Sequence, residues 1–189
     1  MYERFNEALA FAAEAHKGQH RKLTKTPYIL HPMEVAAILD TLSDDEALLI
    51  AGLLHDTVED SGIDPALIKA RFGARVSALV QSETEDKRSD RPPAETWQER
   101  KEDSLLMLAH TRDLDVKRLW LADKLSNLRS FYRETRLHGD VLWSHMNQKD
   151  PRKHAWYYRR VADCVSELAD TAAYLEFTEL IQKVFGEGE

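Results

Sequence analysis

Apolar residues recur at helical spacing along most of the chain, and polar or charged residues occupy the positions between them. A repeat of three or four residues is typical of amphipathic helices, whereas half-buried strands alternate at every second residue. We find no convincing alternation of the second kind, no glycine-rich phosphate loop and no internal repeat. The pattern predicts an all-α helical bundle, folded as one domain over residues 1–189.

Prolines, glycines and capping residues give the expected bounds of these helices. The first runs from Glu3 until Gly18 stops it, the second opens at His31-Pro32, and Ser43 and Asp44 supply the cap of the third. The last and longest helix begins at Pro151 and keeps its period to about residue 185. The other helices are expected at 47–54, 65–72, 74–82, 94–110 and from 114 onwards.

Three polar segments interrupt the helical pattern. Residues 20–28 form a basic loop, in which Pro27 disfavours helix and anion capture and simple solvation are equally plausible. Residues 83–93 are charged and contain two prolines, so they form a loop or mobile lid. Residues 137–149 have mixed polarity and receive no assignment.

The uncharged stretch Ala47–Leu54 predicts a helix buried on nearly all sides, and it leads directly into His55 and Asp56. Buried polar groups cost several kcal/mol unless they are paired or bind a cation. On a continuous helix Glu59 follows His55 by one turn, and Asp60 follows Asp56. The pattern favours a metal site, although a salt-bridged core histidine followed by a solvated acidic helix end is the alternative.

A second buried carboxylate stands at Asp123, one turn before Asn127 and among leucines. Such a carboxylate either pairs with a core arginine or lysine or ligates a metal. His31 is by itself more typical of a cap or surface residue. It gains interest because a metal held by His55 and Asp56 needs further nitrogen or oxygen ligands.

Composition narrows the classes of partner. The net charge of −7 argues against a general binder of nucleic acid or anionic membranes, both of which demand a basic field. One cysteine, Cys164, excludes an intramolecular disulfide and a cysteine zinc cluster, so we expect a reduced, cytoplasmic setting. The longest uncharged apolar run has eight residues, whereas a membrane helix needs about 20, and the N-terminus lacks the apolar core of a signal peptide.

The order of the polar motifs resembles that of the hydrolase domain of RelA/SpoT-type alarmone enzymes, a group of HD-domain metal phosphohydrolases. The resemblance covers about residues 5–165 and places His31, His55-Asp56 and Asp123 as the His…His-Asp…Asp set. The motifs that carry it are Gln19-His20-Arg21-Lys22, Pro27-Tyr28-Ile29-Leu30-His31-Pro32, Leu54-His55-Asp56-Thr57-Val58-Glu59-Asp60, Phe72-Gly73, Thr84-Glu85-Asp86-Lys87 and Leu121-Ala122-Asp123-Lys124-Leu125-Ser126-Asn127-Leu128.

The resemblance implies a stand-alone small alarmone hydrolase with an all-α HD fold. Such an enzyme holds one Mn²⁺ ion and hydrolyses the 3′-diphosphate of ppGpp or pppGpp to GDP or GTP and pyrophosphate. It also implies roles for individual residues. His31, His55, Asp56 and Asp123 would ligate the metal, Glu59 and Asp60 would orient and deprotonate the attacking water, and Arg21, Lys22, Lys101, Lys124 and Asn127 would bind the nucleotide.

Two other functions fit the same residues. One is an HD phosphohydrolase for another nucleotide, such as the 2′-phosphate of NADPH or an adenosine alarmone, because the same metal centre could serve each of them. The other is a non-catalytic helical protein that keeps the metal for stability or senses a nucleotide. Glu59 and Asp60 count against the second, because a purely structural metal site has no use for a water-activating pair.

Overall fold

The computed structural model describes residues 3–22 and 24–186. Outside its helices this part of the chain has one isolated β-bridge, between His20 and Pro27, so the prediction of an all-α fold is confirmed. The helices are α1 (Glu3–Ala15), α2 (Leu30–Asp40), α3 (Glu46–Leu54), α4 (Thr57–Ser61), α5 (Pro65–Phe72), α6 (Ala74–Glu83), α7 (Pro93–His110), α8 (Leu114–His138), α9 (Val141–Ser144), α10 (Pro151–Cys164) and α11 (Ala172–Phe185).

Helix α3 lies at the centre of the bundle, in contact with α1, α2, α6 and α8. Its leucines at 48 and 54 are fully buried, which agrees with the uncharged sequence of this stretch. Gly52 is required by packing, because a Cβ there would lie 2.6 Å from Leu39 Cδ1 on α2. Helices α2 and α3 can therefore approach closely just before the chain reaches His55.

Helix α8 is the longest of the described helices, with 25 residues. Asp113 caps its start by accepting a hydrogen bond from the Asp115 amide at 3.1 Å, as the sequence predicts. One face of α8 packs against α2, α3 and α6, and another packs against α11. Asp123 sits near the middle of this helix and is 4% exposed, so the helix carries a carboxylate into the core.

The cap of α3 differs from the prediction. Asp45 accepts the hydrogen bond from the Ala47 amide at 2.9 Å, whereas Ser43 Oγ accepts from the amide of Asp45 itself at 3.2 Å. Ser43 and Asp44 were therefore the wrong residues for this cap. The cap lies one residue beyond Asp44, because Asp45 is the residue in extended conformation.

The prediction of one long C-terminal helix from Pro151 is also wrong. The segment forms α10, a single 3₁₀ turn (Ser166–Leu168) and α11, with Thr171 as the cap of α11. A continuous helix of that length would extend roughly 50 Å and overshoot the bundle, at 1.5 Å per residue. The break lets α11 return along α10 and bury Phe177 and Leu180 against α8, and both pieces keep the same apolar period.

The segment 137–149, which received no assignment, divides between two helices. Helix α8 continues to His138, Gly139 adopts a left-handed φ of 58°, and α9 follows. Leu142 and Trp143 of α9 are buried beside Phe131 of α8. None of the described helices has both the length and the apolar character needed to cross a membrane.

Candidate metal centre and active site

Two histidines and an aspartate from three helices meet in the core. His31 stands in the first turn of α2, His55 follows the last residue of α3, and Asp123 lies on α8. One ligand atom of each lies within 4.8 Å of the other two, and all three residues are buried. His31 Nε2 is 3.0 Å and His55 Nε2 is 3.6 Å from Asp123 Oδ1. The packing of α2, α3 and α8 on one another therefore assembles the cluster.

Asp56 completes the cluster from the side that faces solvent. Its Oδ2 atom is 3.0 Å from His55 Nε2 and 3.4 Å from His31 Nε2. Its side chain is 19% exposed, against 6% for Asp123, so this side of the centre is the accessible one. Tyr28 Oη donates a hydrogen bond to the same oxygen at 2.7 Å and holds the carboxylate in place.

The hydrogen bonds of the two imidazoles orient their second nitrogens. His55 Nδ1 lies 2.9 Å from the carbonyl oxygen of Gly52, which can only accept, so Nδ1 carries a proton. His31 Nδ1 lies 2.9 Å from Ser126 Oγ, and that hydroxyl donates to Glu34 at 2.7 Å. Ser126 therefore accepts from His31. In the neutral imidazoles both Nε2 atoms keep a lone pair that points into the cluster.

This arrangement fits a divalent metal ion. The Nε2 atom of His55 is buried and has no hydrogen-bond partner within residues 3–22 and 24–186. Burial opposes a charge on His55, yet the Asp56 and Asp123 carboxylates raise its pKa well above the usual value. The two carboxylates therefore face both imidazoles, and a divalent cation can take the place of a proton between them. Two imidazole nitrogens and two carboxylate oxygens are a donor set that divalent first-row metals accept.

The two oxygens of Asp123 serve different partners. Oδ1 faces the histidines and accepts a hydrogen bond from Asn127 Nδ2 at 2.7 Å, whereas Oδ2 pairs with Lys124. The sequence left open whether Asp123 pairs with a lysine or faces a metal site, and this geometry allows both. Lys124 also lies 3.5 Å from Glu83, whose pKa burial raises to about 8.

Glu59 and Asp60 stand beside the cluster on α4. The chain turns at His55 and Asp56 between α3 and α4, but the Asp60 amide still donates to the Asp56 carbonyl at 2.8 Å. The predicted one-turn separation of these two aspartates is thus present. Glu59 is largely buried, and both this burial and the Asp56 charge raise its pKa. Lys87 Nζ donates to the Glu59 carbonyl at 2.7 Å and to Asp60 Oδ1 at 2.8 Å.

A cavity of about 770 Å³ lies in front of Glu59 and Asp60. The five residues that the family resemblance assigned to nucleotide binding all line it. Arg21 donates to Asn127 Oδ1 at 2.8 Å, Asn127 and Lys124 both contact Asp123, and Lys101 pairs with Glu85. The basic residues in the lining of the cavity are Arg21, Lys22, Lys87, Arg100, Lys101, Lys124 and Arg133.

Residues 84–92 form the loop that the sequence predicts between α6 and α7. Charge pairs tie this loop to α7, since Arg100 Nη1 donates to Glu85 at 2.7 Å and Arg88 pairs with Glu99 and Asp103. The Glu85 amide donates to Glu59 Oε2 at 3.2 Å. The loop therefore forms one wall of the site.

Several of these residues carried no assignment from sequence. Tyr28 and Lys87 lie inside quoted motifs, but a motif cannot show that their side chains contact Asp56 and Asp60. The Ser126 hydroxyl and Glu34 had no signal beyond their places on predicted helices. A helical register that puts Ser126 on the same face as Asp123 would have been the one indication for it.

Comparison with known proteins agrees with this geometry. The family model described as HD domain matches residues 8–148. The guanosine-3′,5′-bis(diphosphate) 3′-pyrophosphohydrolase MESH1 of Xenopus tropicalis is 38% identical over 173 residues, which cover 90% of this chain and 87% of that protein. Enzymes of the same activity name from Aquifex aeolicus (39% identity) and a GTP pyrophosphokinase from Myxococcus xanthus (34% identity) are much longer, and the chain covers 18% and 16% of them.

Two solved structures share the fold. A metazoan orthologue of SpoT, described as hydrolysing ppGpp, superposes with a TM-score of 0.79 and 29% identity over 98% of this chain and 97% of that one. A Listeria monocytogenes protein superposes with a TM-score of 0.72 and 31% identity over 83% of this chain and 99% of that one. The chain therefore belongs to the HD domain family, within the RelA/SpoT-type group that includes MESH1 of Xenopus tropicalis.

Proposed function

We propose that the protein is a metal-dependent hydrolase that removes the 3′-diphosphate of ppGpp or pppGpp. Water attacks the phosphorus atom that is bonded to the ribose 3′-oxygen. The bond from this phosphorus to the 3′-oxygen breaks, and the products are pyrophosphate and GDP or GTP. The observation that carries the proposal is a buried His/Asp cluster beside a large cavity lined by cations, in a chain of net charge −7. The activity name of the Xenopus relative, over most of both chains, supports it.

His31, His55, Asp56 and Asp123 would hold one Mn²⁺ ion. Nitrogen ligands together with carboxylates favour a first-row ion such as Mn²⁺ over ions that prefer oxygen alone. When bound, the ion would lower the pKa of a coordinated water towards neutral and stabilise charge on the phosphoryl group. His31 and His55 donate through Nδ1 to Ser126 Oγ and to the Gly52 carbonyl oxygen, and these hydrogen bonds fix both rings with Nε2 towards the centre.

Glu59 and Asp60 would handle the water. The raised pKa of Glu59 makes its carboxylate a stronger base than an exposed one, and the side chain borders the cavity where a substrate phosphate would lie. Asp60 is held by Lys87 and lies 3.2 Å from Tyr28 Oη, so it can orient the water while Glu59 accepts its proton. The proton lost by the water is returned to the departing 3′-oxygen.

Arg21, Lys22, Lys101, Lys124 and Asn127 would bind the substrate. Charge-assisted hydrogen bonds from arginine and lysine to phosphate are short and strong, and they offset the charge of a polyanion locally. Burial lowers the pKa of Lys101, but its pairing with Glu85 favours the charged form that a phosphate requires. Asn127 links Arg21 to Asp123, so it couples nucleotide contacts to the centre.

The test is product analysis on a substrate panel. Purified protein with Mn²⁺ is incubated separately with ppGpp, an adenosine alarmone and NADPH, and released pyrophosphate is distinguished from phosphate. We expect pyrophosphate and GDP from ppGpp, with no turnover in EDTA or in Asp123→Ala, which excludes a contaminating phosphatase. Phosphate from NADPH without pyrophosphate from ppGpp would replace our proposal by the NADPH alternative. Metal binding without turnover of any substrate would favour a sensor.

A further inference from the structure

Glu134 is a buried carboxylate that the proposed chemistry does not use. It lies on α8, is 5% exposed and lines the cavity. Its Oε2 atom is buried and makes no hydrogen bond to any described residue. Two basic side chains lie within ion-pair distance but too far for a hydrogen bond, since Arg133 Nε is 3.6 Å from Oε1 and His138 Nε2 is 3.6 Å from Oε2. A buried carboxylate oxygen without a donor is costly, so a ligand that brings donors would be stabilised there.

The position of Glu134 relative to the metal centre follows from helical geometry. Asp123, Asn127, Phe131 and Glu134 are separated by four, four and three residues, so they share one face of α8. The last three line the cavity, and Asp123 lies in the metal cluster at one end of the row. Eleven residues at 1.5 Å each put Glu134 roughly 16 Å along the axis from Asp123. That span suits a nucleotide whose phosphate lies at the centre and whose base edge lies at Glu134.

The cavity changes character between its two ends. Most of its cations belong to the phosphate end, whereas Phe131 lines it three residues before Glu134 on α8, with the ring of Tyr158 5.8 Å from that of Phe131, and Leu142 and Met146 add apolar lining. Flat apolar and aromatic walls bind a nucleobase by stacking. Arg133 Nε lies 3.6 Å from Glu134 Oε1 and offsets part of its charge, but the buried carboxylate and the apolar walls still favour a base rather than a phosphate at this end.

We propose that Glu134 selects guanine by accepting hydrogen bonds from N1–H and from the 2-amino group. Ionised glutamate is an acceptor at both oxygens, and the Watson–Crick edge of guanine presents these two donors side by side. Adenine places an acceptor at N1 and has no 2-amino group, so the carboxylate would face a lone pair. Hypoxanthine keeps N1–H but lacks the 2-amino group. The inference deepens the proposed function and rests on it for the phosphate end of the substrate.

The decisive comparison is Glu134→Gln against wild type on three 3′-diphosphates: those of guanosine, inosine and adenosine. The glutamine side chain has the same shape as glutamate, but it offers only one acceptor oxygen, and its amide N–H groups would face the donors of guanine. We expect KM for the guanosine substrate to rise about tenfold to hundredfold, the range for losing a hydrogen bond to a charged group, with kcat little changed. The preference for guanosine over inosine should collapse, and the adenosine substrate should bind equally well or better.

Control measurements distinguish guanine selection by Glu134 from a folding defect and from failure of the proposed function. Glu102→Gln removes an exposed glutamate on α7 that does not line the cavity, and it should leave all ratios unchanged. Thermal unfolding of Glu134→Gln should match wild type. If wild type does not hydrolyse ppGpp, the hydrolase proposal fails, and calorimetric binding of GDP, IDP and ADP still tests Glu134. Equal guanine preference in wild type and Glu134→Gln, by turnover or binding, would overturn the inference.

Discussion

A single buried carboxylate can serve a metal centre and an ion pair when its two oxygens face different ways. Asp123 has the geometry for both roles, with Oδ1 directed at His31 and Oδ2 at Lys124. Lys124 in turn lies over the ring of Trp120, at 4.6 Å from its centroid. The lysine therefore holds the carboxylate in place without occupying the oxygen that a metal needs.

Replacing Asp123 with alanine should remove metal binding and activity while leaving the helices intact. The apolar stripes of α8 do not depend on this side chain, so circular dichroism should match wild type. A bound metal stabilises the native state by mass action, so Mn²⁺ should raise the Tm of wild type and leave the Tm of the variant unchanged. Metal analysis after gel filtration is the direct readout. Full metal occupancy in Asp123→Ala would exclude this residue from the ligand set.

Glu59→Gln should separate chemistry from binding. If Glu59 accepts a proton from water, the amide should keep metal and ppGpp binding but lower kcat by about 10²–10⁴-fold, the usual range for general acid–base catalysis. Steady-state kinetics with metal analysis would test this, and the exposed Glu14→Gln on α1 is the matched control. Unchanged turnover would refute the role, and lost metal would instead make Glu59 a ligand.

At the scale of elements, periodicity predicted most helices to within a few residues because one face of each packs on the core. Helix α5, for example, starts at Pro65 and ends before Gly73 as expected. Periodicity did not locate the break between α10 and α11, because the apolar positions of the two helices continue one helical repeat. It also failed for the cap of α3, because several adjacent residues can cap a helix and only backbone conformation decides among them.

The candidate site, too, could be predicted from the sequence only in part. Residue type and motif order pointed to His31, His55, Asp56 and Asp123, and the fold brings these four together. Contacts between distant segments, such as Tyr28 with Asp56 and Arg21 with Asn127, depend on how the loop before α2 packs against the end of α3 and against α8. No local pattern encodes such contacts, because they are fixed by tertiary packing rather than by spacing along one helix.

The close approach of α2 and α3 at Gly52 gives a prediction for these two elements. Gly52→Ala puts a methyl group 2.6 Å from Leu39 Cδ1 in a fully buried region, and we expect a destabilisation of about 1 to 2 kcal/mol from overpacking. Denaturant unfolding measures it. Because His31 lies on α2 and His55 directly follows α3, metal affinity should also fall.

A double-mutant cycle identifies the cause. Leu39→Ala removes the colliding atom at its own cost of about 2 to 5 kcal/mol, and Gly52→Ala should then be less destabilising, or even favourable through its better helix propensity. Strictly additive effects of the two substitutions would show that the strain lies elsewhere.

At the scale of the whole molecule, charge works against the proposed substrate. The protein carries −7 and ppGpp is a polyanion, so the long-range field repels the ligand. Binding must therefore depend on short contacts within the cavity, where basic residues gather although the molecule as a whole is acidic. An acidic molecule can thus still hold a small phosphorylated ligand by local contacts.

This balance predicts how the basic residues affect kinetics. Arg21→Ala and Lys22→Ala should raise KM for ppGpp, by the order of tenfold for each lost charge-assisted contact, with a smaller effect on kcat. Lys25 offers a matched control, because it lies in the same loop, is exposed and does not line the cavity. Lys25→Ala should leave KM nearly unchanged, which separates local contacts from the loss of one positive charge.

The dependence of KM on ionic strength tests whether short contacts, rather than the overall charge of the molecule, determine substrate binding. Moderate salt weakens the overall repulsion as well as the local attraction, so KM of wild type should change little. We would measure kcat and KM for ppGpp at two ionic strengths, for wild type, the three single variants and a variant in which Arg21, Lys22, Lys101 and Lys124 are all neutralised. An unchanged KM in that last variant would show that these side chains do not bind the phosphates. The reason to prefer a multiply phosphorylated substrate over an uncharged or singly phosphorylated one would then rest on the sequence relatives alone.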